Sequence, residues 1–115
     1  MRFTLTSPCD QCPFRLDKPG FLSPKRALLI AYALLDRQET FSCHKTVVYD
    51  GEDGQGRDTP DTLHCAGALL FLEAQERPNQ LMRIAERCGL YDRHALKTDV
   101  PVARSTEEWI AHMEE

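Results

Sequence analysis

No stretch of this 115-residue sequence approaches the ~20 consecutive apolar residues that a membrane-spanning helix needs. The longest strongly apolar runs are Ala27 to Leu35 and Ala66 to Leu72, and the opening MRFTLTSPCDQC has no apolar core of the kind a secretory signal carries. The expected setting is therefore cytoplasmic, with no membrane partner. Positive charge is not in surplus either. Fourteen Lys and Arg face 18 Asp and Glu, for a net charge of −4, which argues against wholesale attraction to nucleic acid or anionic lipid. Cysteine is too sparse, at five residues, for a disulfide scaffold, where it usually exceeds ~8% of the chain. A phosphate loop is excluded because CHKT (43–46) lacks the glycines that would precede it. Internal repeats and low-complexity runs are also missing.

What remains is a mildly polar chain, mean hydropathy −0.44, of a size that supports one modest core. Phe3 and Leu5 alternate with polar neighbours, a short strand pattern that Ser7-Pro8 ends. Prolines 8, 13, 19 and 24 then mark an ordered loop. Ser23 as N-cap and Pro24 at the first helical position predict a helix over 24–37, with Ala27, Leu28, Ala31, Leu34 and Leu35 on its core face. The β-branched and aromatic content of 41–49 favours an extended segment. DGEDGQGRDTPD reads as an exposed loop, and its Asp50, Glu52, Gly54 spacing lacks the third oxygen ligand and the closing glycine of a calcium loop. Thr59-Pro60 predicts a central helix to about Arg77, stopped by Pro78 and apolar on nearly every face at CAGALLFL. A third helix is expected from Asn79 or Gln80 to Arg87, ended by Cys88-Gly89. Ser105 with Glu108 forms a capping box for a last helix that uses Trp109, Ile110 and Met113. The expected fold is mainly α with a small β element (α+β): one domain over 1–115 with about four helices and two or three short strands. Its metal-site half is 1–72 and its helical C-terminal part is 73–115.

Chemistry concentrates in the cysteines. Cys9 and Cys12 form C-x2-C, a spacing that lets one tight loop offer two thiolates to one metal. Cys43 and Cys65 each adjoin a histidine, as Cys43-His44 and His64-Cys65. All-thiolate sets and mixed sets with one or two imidazoles are therefore open. Neighbours on a strand point to opposite faces, so only one residue of Cys43-His44 should face the metal; cysteine is the preferred ligand at both places. His44 and His64 then serve as neighbouring supports or as replacement ligands. Cys88 has no thiol near it in sequence and is read as core or surface. A thioredoxin-type redox pair wants its first cysteine opening a helix, whereas Pro13 and a proline-rich loop follow here. Adjacent Cys and His cannot easily hydrogen-bond as nucleophile and base, although Cys43 with His64 across the fold stays open.

The pattern C-D-Q-C-P-F-R, then F-S-C-H-K, then C-A-G-A resembles a family of small uncharacterised proteins of bacteriophages and bacteria. Its members share C-x2-C-P-aromatic-R, F-x-C-H and C-A-G motifs. The likeness spans roughly residues 8 to 72. It implies a shared site at Cys9, Cys12, Cys43 and Cys65 and a bacterial host cell, and it supplies no activity.

Zinc and an iron–sulfur cluster both accept four thiolates. The wide separation of Cys43 from Cys65, the proline after Cys12 and the apolar Phe14, Phe41 and Ala66-Gly67 favour a [4Fe–4S] cluster, with structural zinc as the alternative. A fully coordinated metal leaves no position for substrate, so the expected role is a non-enzymatic regulatory or protein-binding module. Two alternatives are a zinc-stapled nucleic-acid accessory factor, using Arg15, Lys18, Lys25, Arg26 and Lys45, and a redox sensor. Net charge disfavours the first.

Overall fold

A computed structural model gives the architecture and describes residues 2–8, 12–20, 22–42, 48–49, 56–57 and 62–114. Within these the regular structure is mainly helical: α1 (Pro24–Leu35), α2 (Ala66–Ala74), α3 (Gln80–Arg87) and α4 (Thr106–Met113), with a 3-10 turn at Arg93–Ala95. Among the described residues the expected two or three strands come to one antiparallel pair, β1 (Val48–Tyr49) and β2 (Gly56–Arg57), with Val48 opposite Arg57. The other extended segments make only isolated bridges, Arg2 with Leu63, Arg15 with Val102 and Ser42 with His64. Pro13 and Pro101 flank one of these bridges, and a residue without an N–H cannot extend a ladder. Among the described residues no helix is long and apolar enough to cross a membrane.

The helix ends follow local chemistry where no distant segment competes. Ser23 Oγ accepts the Arg26 N–H at 3.1 Å and Pro24 opens α1. α1 stops at Leu35, short of the expected Arg37. Asp36 is its C-cap, Gln38 takes a positive φ of 55°, and the Arg77 guanidinium donates to the Leu35 carbonyl at 3.2 Å. α3 starts on Asn79, whose Oδ1 accepts the Met82 N–H at 2.8 Å, and ends before Gly89 at φ 73°. Ser105 caps α4 by accepting the Glu108 N–H at 3.1 Å. The return bond of that box is displaced by one residue, since Glu108 Oε1 accepts from the Arg104 N–H at 2.8 Å.

α2 departs most from expectation. It begins at Ala66, with Cys65 as N-cap, and not at Thr59-Pro60; residues 59–61 lie outside the described residues. The physical reason is pairing with distant chain. Arg2 N–H donates to Thr62 O, His64 N–H to Arg2 O and Cys65 N–H to Phe41 O, each at 2.8 Å. Those bonds hold residues 62–65 extended, and the helix starts where they end.

Six residues of α2 are buried: Ala66, Gly67, Ala68, Leu69, Phe71 and Leu72. Around it stands an aromatic core in which Phe14 stacks on Trp109 at 4.3 Å, with Phe71 within 5.5 Å of both rings. The α4 indole N–H donates to the Pro13 carbonyl at 2.9 Å, so the C-terminal helix clamps the N-terminal loop. Next to this clamp, Leu16 N–H donates to Pro101 O and Ala103 N–H to Phe14 O. α1 packs on α4, and buries Ala27, Ala31 and Leu34. Leu28, expected inside, is 53% exposed, as are Leu29 and Tyr32.

Candidate metal centre

Two of the four cysteines singled out by sequence are brought together. Cys12 opens a turn closed by the Arg15 N–H on the Cys12 carbonyl at 3.2 Å, with Pro13 in the second position. No helix begins there, in contrast to a thioredoxin-type pair. Cys65 sits at the N-terminus of α2. The two sulfurs face each other at 3.7 Å although 53 positions separate them, and their residues are only 2% and 5% exposed. They are free thiols.

Gly67 makes this approach possible. A Cβ on residue 67 would stand 2.3 Å from Cys12 Sγ and 3.2 Å from the Phe14 Cβ. Any side chain at that position therefore occupies the place of the sulfur. The glycine of the C-A-G motif is set by this packing and not by a special backbone angle.

The environment separates the two thiols. Cys12 is held below the ordinary thiol range, chiefly because it accepts the hydrogen bond from Cys65. Burial opposes this, while the Phe14 amide, the Arg15 charge and the Gly67 amide reinforce it. Cys65 is pushed well above that range, first as the donor to Cys12, then by burial and by the charge on its partner. Although it is the N-cap, its thiol accepts no capping hydrogen bond. The Ala68 and Gly67 backbone amides work in the opposite direction and lower it. The two sulfurs therefore differ in acidity, and Cys12 gives up its proton before Cys65 does. A cation bound by both sulfurs would displace the protons they carry.

His64 is fully buried and stacked on Phe3 at 5.3 Å. Its Nε2 accepts the Phe41 N–H at 3.2 Å, so Nδ1 carries the proton and donates to the Cys65 carbonyl at 3.1 Å. Both ring nitrogens are thus turned to backbone, joining the Phe41 segment to Cys65. Arg15 grips Asp17 through two bonds of 2.8 and 2.6 Å, and its guanidinium holds the Asp17 carboxyl below the usual carboxylate range.

Cys9, Cys43, His44 and Lys45 lie outside the described residues. Among the described residues no group of three or more His, Cys, Asp or Glu side chains is assembled around one point. Cys88 is exposed. Sequence reasoning missed Trp109 as part of the site. The signal available was a lone tryptophan, whose buried N–H requires a partner.

Residues 4–114 match the model of a family described as a family of unknown function (DUF6283). No curated protein and no solved structure matches the chain.

Proposed function

The chain belongs to the family of unknown function DUF6283, and from its own residues we propose a small metal-stapled module, non-enzymatic, that binds a protein partner. Cys9, Cys12, Cys43 and Cys65 are the four thiolate ligands. The observation that carries this reading is the buried Cys12–Cys65 pair at 3.7 Å, set over the first turn of α2. Burying two thiols against each other supplies a half-site in which both sulfurs point at one place. Chain connectivity supplies the rest. Cys9 precedes Cys12 by three positions, and Cys43 directly follows Ser42, which bridges to His64 beside Cys65. A metal held by these four residues ties three segments together, which suits a small domain rich in loops.

Full coordination leaves no open metal position, so the role proposed is binding and not catalysis. The partner surface is the outer face of α1. Leu28, Leu29 and Tyr32 lie there at helical spacing and are each 53% exposed. Exposed Lys25, Arg26 and Arg37 flank them, and the Arg37 guanidinium covers the Tyr32 ring at 5.6 Å. An apolar stripe with a basic border suits a protein surface with an acidic rim.

Single Cys-to-Ser replacement at 9, 12, 43 and 65 tests the site. Each variant should lose stoichiometric metal and melt at a markedly lower temperature, while Cys88→Ser should do neither. Retention of full metal by two or more of the four variants overturns the proposal.

A further inference from the structure

We infer that Cys12 and Cys65 share one tetrahedral metal ion of the zinc class, and do not occupy two corners of a four-iron cluster, with Gly67 as the residue that enforces the choice. The inference rests on the four-thiolate reading above and narrows it. Two thiolates bound to one tetrahedral ion at about 2.3 Å each stand roughly 3.8 Å apart. The two sulfurs are 3.7 Å apart, so a single ion enters with almost no change in their separation.

A four-iron cluster makes a different demand. Each thiolate ligates its own iron, so the body of the cluster lies between any two of the sulfurs. Cys12 and Cys65 face each other directly, and the surrounding walls are close. On one side the Gly67 backbone touches the Cys12 sulfur so nearly that a methyl group would overlap it. Phe14, whose Cβ lies at the same spot, and Ala68, the next residue of α2, are fully buried. Separating the sulfurs would draw the Cys12–Arg15 turn off α2. That movement breaks the packing of Phe14 on Trp109 and the indole bond to Pro13. Close-packed protein interiors resist such an opening.

Gly67 is thus a specificity-determining residue for the metal. It fixes the height of Cys12 above the helix, and with it the spacing of the ligand pair. Replacements beside metal ligands typically weaken binding by about 10- to 100-fold.

The test uses the full chain, stripped of metal and handled without oxygen. One portion is titrated with cobalt(II) and then challenged with zinc. A second is incubated with ferrous iron, sulfide and a thiol reductant. The expected result is cobalt binding that saturates at one ion per chain, with the intense visible bands of a tetrahedral thiolate site, reversed by zinc. The second portion should retain no acid-labile sulfide. Gly67→Ala should weaken cobalt binding by about tenfold or more, and Cys88→Ser should leave it unchanged. Should Gly67→Ala fail to fold, the titration of the unaltered chain still decides. Stoichiometric iron with acid-labile sulfide overturns the single-ion inference and leaves the four-thiolate reading standing. Binding of none of cobalt, zinc or iron overturns both.

Discussion

At its C-terminal half α2 contributes Phe71 to a stack with Phe14 and Trp109, three rings with no exposed surface. At its N-terminal end the same helix places Gly67 beneath the Cys12 sulfur and Cys65 beside it. The ring end is complete in itself, since its one polar atom, the indole N–H, is paired with Pro13. At the sulfur end two thiols are buried against each other, and in the proposed site a metal completes them. In the proposed reading, one helix divides into an end stabilised by apolar packing and an end that a bound metal would complete. This division separates variants that damage the fold in all conditions from those that matter only with metal.

The sharpest break should come at the rings. Trp109→Ala removes the largest buried side chain and the clamp on Pro13, and should cost about 3–5 kcal/mol. Urea unfolding of the metal-free chain should register the whole loss. A smaller effect is expected at the brace between the two ends. His64→Phe keeps a ring against Phe3 but leaves the Phe41 N–H without its acceptor, for about 1–3 kcal/mol. In that variant metal affinity should fall along with stability, whereas in Trp109→Phe it should not.

Tyr91 isolates a contribution remote from the sulfurs. Burial first, and then its hydrogen bond to Glu73 at 2.8 Å, push its hydroxyl well above the ordinary tyrosine value. A raised folded-state value means that the contribution is fully present below the unfolded value of about 10, and is lost as pH rises from there toward the folded value. The unaltered chain should therefore lose stability above about pH 10 with a slope that Tyr91→Phe reduces. Below that range the variant should be weaker by about 1 kcal/mol. The smallest change is expected on the outer face of α1, where Leu28→Lys should alter stability by no more than about 0.5 kcal/mol. The same replacement should abolish capture of an acidic-rimmed protein partner.

What the sequence disclosed follows the range of the interactions concerned. Ser23-Pro24, Asn79, Gly89 and Ser105 act within one turn of their own helix, and each is found where its local chemistry puts it. Thr59-Pro60 has the same local form, yet α2 starts later because Arg2 and Phe41, both distant in sequence, bond to residues 62–65. Leu28 fits an apolar helical period, but the period does not reveal how wide a face α4 covers. In the candidate site, the cysteine and histidine pattern pointed to Cys9, Cys12, Cys43 and Cys65 with His44 and His64, of which Cys12, Cys65 and His64 are among the described residues. The clamp from Trp109 to Pro13 spans 96 positions, and no local pattern encodes it. Nor does spacing alone convey the 3.7 Å between the sulfurs, the distance on which the single-ion proposal rests.

Whether a metal completes the sulfur end of α2 is decided by thermal unfolding of the protein as isolated, with its bound metal quantified before and after treatment with a strong chelator under reducing conditions. A metal-stapled chain should carry stoichiometric metal at the outset, lose it to the chelator, and show a large fall in melting temperature that returning zinc reverses. A chain isolated without metal, whose melting temperature neither chelator nor zinc alters, would contradict the metal staple.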